Sequence, residues 1–393
     1  MDAFKIRDHI YWVGAIDWNL RDFHGYSTHR GGTYNAYLII DEKVTLIDSV
    51  YHPFTEQMIS RIESIIDLSK IDVYISNHSE PDHSGSILEV LKRAPQAKVY
   101  ASSPSGVRSM MGTYQDIQVL PIKTVDVLNI GKRDLKFIQT PLVHWPDNMV
   151  TYSPYDKILF SNDMFGQHIA TFERYDEQLE FNVLVDELKT YYANIVLPYG
   201  SQTQRALKMI KDLDFDLIAP SHGVMWKKHI QEVIEIYHQM STYQKENKAV
   251  VVYDSMWGST EKMALEIAET FIDIGIPTVI RHVRHTPLSE IIVDVMDAKY
   301  LAVGSPTLNN GLMTSVASFF AYIKGLAPKN ISYFVFGSYG WSGQGTEFAD
   351  RELESMGYTR LMNPTRVQYA PSKAQLLKLK EDVKHMLESS KNT

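Results

Sequence analysis

Three times between residues 249 and 356 an unbroken apolar run precedes a stretch of helix length. "AVVVYDS" (249–255) comes before 259–273, "AKYLAVGSP" (298–306) before 313–325, and "ISYFVFGSYG" (331–340) before 344–356. A strand apolar on both faces must be covered on both faces, and strand–helix alternation does this when the strands run parallel. The C-terminal part is therefore expected to be a doubly wound parallel sheet, an α/β fold. Upstream the texture differs. Short strands and hairpins run from "YNAYLII" (34–40) and "VTLIDSV" (44–50) through "IDVYISN" (71–77) and "AKVYAS" (97–102), with a helical stretch at 85–95 between the last two. "LKFIQTP" (135–141), "NMVTYSP" (148–154) and "KILFSND" (157–163) continue the series, and strand ladders with helices outside suggest a layered α/β sandwich. The polar "STYQKENK" (241–248) reads as a linker, so two domains are expected, 1–246 and 247–393.

Composition narrows the function. A net charge of −8 argues against a nucleic-acid binder held by phosphate contacts. No apolar run approaches the roughly eighteen residues that span a bilayer, and the charge-dotted start "MDAFKIRDHIYWVGAID" is not a secretory signal. A cytoplasmic protein without membrane or nucleic-acid partners is expected. The chain has no cysteine. Disulfides, thiolate nucleophiles and cysteine-ligated zinc or iron are thereby excluded from it, and any metal must be held by nitrogen and oxygen.

Such ligands are concentrated in "ISNHSEPDHSG" (75–85), directly after an apolar strand. His78, Glu80, Asp82 and His83 are too many for one ion in so short a span but suit two neighbouring ions. Three further polar residues end apolar runs: His144 in "LVHWPD", Asp163 in "FSNDMFG" and His222 in "IAPSHGVMW". Any one of these histidines alone is more often a hydrogen-bonded rim residue. Together they describe a site converging on one edge of the sandwich.

The second domain offers a different chemistry. In "VVYDSMWGSTEKMA" (251–264) a strand enters a loop of Ser255, Met256, Trp257, Gly258, Ser259 and Thr260, and a helix follows. Hydroxyls, backbone N–H groups and the positive helix end make a phosphate cradle. No lysine lies inside the loop, which argues against a Walker-type nucleotide site and suits the single phosphate of FMN. Two loops close neighbouring strands at the same edge. Pro306, Thr307, Leu308 and Asn309 are expected on one side of an isoalloxazine ring, and Ser338, Tyr339, Gly340, Trp341 and Gly343 on the other.

The HxExDH cluster followed by His144, Asp163 and His222 resembles the flavodiiron proteins, also called A-type flavoproteins or rubredoxin:oxygen oxidoreductases. "GTYNAYL" (32–38), "LVHWPDNM" (142–149), "NDMFGQHIA" (162–170), "YYANIVLPY" (191–199) and "APSHG" (219–223) are similar to that family too, and the second domain resembles flavodoxin. The resemblance implies a metallo-β-lactamase-like αββα sandwich followed by a flavodoxin-like domain. It implies one iron on His78, Glu80 and His144, the other on Asp82, His83 and His222, and Asp163 between them. In some members the histidine at the place of His83 turns away. His24 and Tyr191 match positions near the substrate pocket, whereas His168 is left as a supporting or structural residue. Flavodoxin's loop resembles T/S-x-T-G-x-T, so Trp257 here displaces one hydroxyl contact to phosphate.

Zinc hydrolases of this fold resemble HxHxDH, with imidazole where Glu80 stands. A carboxylate adds negative charge and a harder donor, favouring redox-cycling iron over zinc. The expected function is reduction of O2 to water, of NO to N2O, or both, at a diiron site fed by FMN. A zinc hydrolase with an appended flavodoxin domain and a non-catalytic electron carrier are the rivals. Without cysteine in the chain, electrons are expected from a separate rubredoxin or similar donor, with reduced coenzyme F420 as the alternative. A first domain of this length has a radius of gyration of about 18 Å. Two sites on separate domains of one chain can then lie tens of ångströms apart, which favours a dimer that joins one subunit's flavin to the other's irons. The resemblance implies a head-to-tail homodimer, or a dimer of dimers.

Overall fold

The computed structural model describes residues 1–390, and they form two compact units. One comprises Met1–His24, Thr28–Tyr191 and Tyr199–Ser241; the other comprises Gly25–Ser27, Tyr192–Pro198 and the chain from Thr242 onward.

The first unit contains a seven-stranded and a five-stranded sheet. The larger begins as an antiparallel meander, Phe4–Arg7, Ile10–Trp12, Tyr37–Ile39 and Val44–Ile47, and continues parallel through Ile71–Ser76, Lys98–Ser102 and Val119–Ile122. In the smaller, Val127–Asn129, Asp134–Gln139, Met149–Ser153 and Ile158–Asn162 are antiparallel, and Leu217–Pro220 joins the last in parallel. Alternation along each strand builds the layers. Tyr37, Ile39, Ile47, Val73 and Ile75 face Phe137, Met149, Phe160 and Leu217 of the other sheet. Leu38, Leu46, Tyr74 and Val99 turn the opposite way, onto Met58, Ile59 and Ile62 of helix Thr55–Glu63 and Ile87 and Val90 of helix Ile87–Arg93. The strands read as continuous apolar runs because both faces are covered. Asp134–Gln139, Ile158–Asn162 and Leu217–Pro220 point the same way, so their carboxyl ends share one edge.

In the second unit the parallel order is Thr278–His282, Glu246–Tyr253, Ala298–Gly304, Ser332–Tyr339, with Thr359–Arg360 and Thr365–Gln368 both pairing the last of these. The strand order reverses between Glu246–Tyr253 and Ala298–Gly304, which fixes the crevice at their carboxyl ends. The first strand starts at Glu246, inside the stretch read as linker, because Glu246 pairs with Ala298 across a register irregularity. Strand Thr278–His282, helix Leu288–Asp297, strand Thr365–Gln368 and helix Lys373–Ser390 were not foreseen. Thr278–His282 is a half-buried edge strand along its whole length, so it lacks the apolar run that marks its neighbours. Among the described residues no helix is long and apolar enough to cross a membrane.

Candidate functional site

Strand Ile71–Ser76 delivers His78 at its carboxyl end, and the short helix Pro81–Ser84 follows with Glu80 as its first flanking residue. His144, Asp163 and His222 arrive on the loops after Asp134–Gln139, Ile158–Asn162 and Leu217–Pro220. All seven residues are buried, and their ligand atoms fall into two groups. His78, Glu80, His144 and Asp163 form one, and Asp82, His83 and His222 the other, with atoms in each group within 4.8 Å of one another.

Asp163 joins the groups. Its Oδ2 lies 3.7 Å from His78 Nε2 and 3.5 Å from His144 Nε2, while Oδ1 lies 3.0 Å from His83 Nε2 and 3.5 Å from His222 Nε2. His83 therefore turns into the site, 3.4 Å from Asp82 Oδ2. Burial pushes the Asp163 carboxyl up, but the charge of His83 and the other facing imidazoles hold it well below the usual carboxylate range.

Several of these atoms have no hydrogen bond although they are fully enclosed. They are both oxygens of Asp82 and of Asp163, both ring nitrogens of His83, and Nε2 of His144 and His222. Buried carboxylates and imidazoles left this way are costly unless a cation completes them. An all-nitrogen-and-oxygen set of three carboxylates and four imidazoles in two groups fits two iron ions.

The surroundings fix the imidazole tautomers. His222 Nδ1–H donates to the Thr33 carbonyl at 2.8 Å, which leaves the Nε2 lone pair facing inward. His78 Nδ1 meets Asp147 Oδ2 at 3.0 Å, and Ser79 donates to the same oxygen through N–H and hydroxyl, both at 2.7 Å. Sequence reasoning missed Asp147. Its only local cue is its place three residues after His144, while its partner lies 69 residues away.

Asp48 was missed as well. It accepts from Asn77 N–H at 2.7 Å, from Asn77 Nδ2 at 3.1 Å and from Asn162 Nδ2 at 3.4 Å. Asn162 also donates to Ser221 Oγ at 3.0 Å. Residues 77, 162 and 221 each precede one of the seven, so one buried carboxylate ties three loops together. Burial lifts Asp48 to about 6. Leu142 and Phe165, at φ +64° and +68°, flank His144 and Asp163; bulky residues adopt this backbone only where the surroundings force it.

His24 Nε2 lies 2.6 Å from Glu80 Oε1, with the His24 side chain half exposed. Tyr191 is buried, its ring centroid 5.3 Å from that of His168 and 5.7 Å from that of His222. Burial holds His168 well below the usual imidazole range.

In the second unit a cleft of about 460 Å³ opens at the strand-order reversal. Met256, Trp257 and Ser259 line it, as do Pro306, Thr307, Leu308 and Asn309, and Ser338, Tyr339, Gly340 and Trp341. The other expected residues lie behind it. Ser255 Oγ accepts from the Gly258 N–H at 3.0 Å, the Thr260 and Ser338 hydroxyls are 2.9 Å apart, and Gly343 stands before helix Gln344–Ser355. Gly258 has φ +80°, a conformation glycine adopts without strain as the chain turns into helix Ser259–Asp273. Asn310, Ser342, Tyr369 and Ala370 also line the cleft and were not foreseen. Tyr369 and Ala370 follow strand Thr365–Gln368, which was itself unseen in the sequence.

Comparison with known proteins agrees with both halves. Residues 33–223 match the family described as ODP family beta lactamase, and residues 251–383 match flavodoxin. The crystal structure of the flavodiiron protein from Giardia intestinalis superposes with a TM-score of 0.94 at 33% identity, covering 98% of this chain and 96% of that one. The chain belongs to the flavodiiron family. Rubredoxin oxygen:oxidoreductase from Desulfovibrio gigas superposes on this flavodiiron protein with a TM-score of 0.96 at 38% identity, covering 100% and 99% of the two chains. A protein named nitric oxide reductase from Moorella thermoacetica is 39% identical over 373 residues, 93% of each chain.

Proposed function

We propose that His78, Glu80 and His144 hold one iron, Asp82, His83 and His222 the other, and that Asp163 bridges them, in an enzyme whose second cofactor, FMN, occupies the 460 Å³ cleft. The carrying observation is the Asp163 carboxylate, with one oxygen toward each imidazole pair. The protein is an oxidoreductase of O2 or NO, in line with relatives named for each activity. When bound, two ferrous ions supply two electrons and reduced flavin two more, matching the four electrons of O2 to two waters and exceeding the two that convert 2 NO to N2O and water.

The chain's own residues set the conditions. Glu80 brings a negative charge where an imidazole would leave the site less suited to a higher oxidation state. His24 orients the Glu80 oxygen that faces away from His78 and His144. His222 and His78 are locked as Nε2 ligands by Thr33 and Asp147. Asp147→Asn should therefore lower iron affinity or turnover by about 10–100-fold with flavin content unchanged. Iron analysis of the purified variant checks this.

The loop 255–260 and the first turn of helix Ser259–Asp273 would receive the FMN phosphate. Ser259→Asp puts a negative charge there and should leave purified protein without flavin but with its iron. A normal flavin absorption band in that variant would contradict that phosphate position.

Electrons come from a rubredoxin-type donor, as the name of the Megalodesulfovibrio gigas relative, rubredoxin-oxygen oxidoreductase, suggests; that relative is 40% identical over 391 residues. Trp257 and Trp341 are 92% and 88% exposed beside the cleft, which supports a cover from a second copy in a head-to-tail homodimer. A cytoplasmic location completes the reading. Anaerobic turnover with rubredoxin as donor, measured in parallel with O2 and with NO, tests it. Reduction of either gas is expected, and reduction of neither would overturn it.

A further inference from the structure

Two arginines in the first unit are buried without a counter-ion. Arg61, on helix Thr55–Glu63, is 7% exposed and Arg174 is 5% exposed. Arg61 Nη1 donates to the carbonyls of Gly14 at 2.9 Å and Gln57 at 3.3 Å, and Arg174 Nη1 to those of Thr171 at 2.9 Å and Glu173 at 2.8 Å. Neither guanidinium forms an ion pair with a carboxylate of the described residues, and the hydrogen bonds of both leave from Nη1 alone. Both lie over the ring of Trp12, the Arg61 Cζ at 4.9 Å and the Arg174 Cζ at 3.8 Å from its centroid. Like charges over one ring repel, and an aromatic face compensates a buried cation only in part. Burial, and then the charge of Arg61, pull the Arg174 guanidinium down to about 10.

Both arginines line a cavity of about 580 Å³. Trp12, Ile16, Trp18 and Phe172 form much of its wall, and Trp18 and Phe172 are 47% and 78% exposed with ring centroids 5.1 Å apart. Asp2, at the rim, is the one acid in the lining and is exposed. A purely structural arginine pair explains the bonds to carbonyls. It does not explain why two unpaired cations face a space of ligand size beside an uncovered aromatic pair.

We propose that this cavity binds a small organic anion, with a carboxylate or phosphate head on the free edges of Arg61 and Arg174 and an apolar body against Trp18 and Phe172. The guanidinium edge matches such a head with paired N–H donors. The volume is larger than a bare inorganic ion needs, which gives the aromatic wall a role. The site also has a physical connection to the metal loops. Trp12 Nε1 donates to Asn35 Oδ1 at 2.8 Å, and Asn35 Nδ2 donates to the carbonyls of Pro220 at 2.8 Å and Gly223 at 3.0 Å, on either side of His222.

Calorimetric titration of the iron- and FMN-loaded protein with phenyl phosphate, benzoate and uncharged benzyl alcohol tests the proposal. One phenyl phosphate or benzoate per chain is expected, with no saturation by benzyl alcohol. Arg174→Met should weaken both anions by about tenfold or more, and Arg61→Lys, which keeps charge but loses the planar fork, by less. Trp18→Ala at the exposed rim should weaken binding with stability unchanged, and it serves if Arg174→Met does not fold. No saturable heat with either anion up to about 10 mM, equal binding of benzyl alcohol, or anion binding unaltered by the substitutions would overturn the site.

Discussion

Asp163→Asn is expected to abolish reduction of both gases while FMN stays bound. The amide has nearly the shape of the carboxylate, and Asp163 makes no hydrogen bond whose loss would unfold the core. What changes is donor chemistry: one of the two oxygens facing the imidazole pairs becomes an NH2, which has no lone pair to offer a metal. Removing the charge also takes away an acceptor facing His78, His83, His144 and His222. Turnover should fall by more than about a hundredfold, beyond the range typical of residues that only support ligands. Iron content should drop toward one per chain or less. The flavin spectrum is the control, because the cleft proposed for FMN is built from other residues. Turnover within tenfold of the parent protein would contradict the bridging role.

Asp48→Ala should cause the second-largest loss, through position rather than ligation. It removes the acceptor for the Asn77 N–H, for Asn77 Nδ2 and for Asn162 Nδ2. Each buried donor left unpaired costs about 1–3 kcal/mol. Part of that is offset because Asp48 is itself a buried carboxylate, raised to about 6 by its burial. A net destabilisation of about 2–4 kcal/mol is expected in urea unfolding of the metal-free protein. Iron retention should fall as well, since the loops carrying His78, Asp163 and His222 lose their common anchor. Asp48→Asn keeps one acceptor oxygen and should show a smaller version of both effects. An Ala variant with full iron content would show that the network is incidental to the site.

The two variants probe parts of the molecule that differ in how far the sequence reveals them. Strand-end histidines and acids can be seen because an apolar run announces each strand, and a polar residue after it has few structural reasons to be there. Helix Ser259–Asp273 can be read for the same kind of reason, from a glycine and hydroxyl cluster between an apolar strand and the helix. Asp48 and Asp147 are different. Asp48 looks like the polar end of a strand, and its partners lie 29 and 114 residues away; Asp147 meets His78 across 69 residues. Only the stacking of two sheets brings them together. The edge strand Thr278–His282 escaped notice because its residues are all half buried, so no periodicity separates a core face from a solvent face. Tyr369 and Ala370 line the cleft of the second unit just after a strand that no apolar run announces.

In the proposed site, seven buried side chains grip two irons about one shared carboxylate. Anomalous diffraction from crystals of the purified protein, collected on either side of the iron absorption edge, tests it most directly. Two iron peaks are expected, one among His78, Glu80 and His144 and one among Asp82, His83 and His222, with Asp163 in contact with both. A single peak, a zinc signal in place of iron, or peaks away from Asp163 would contradict it.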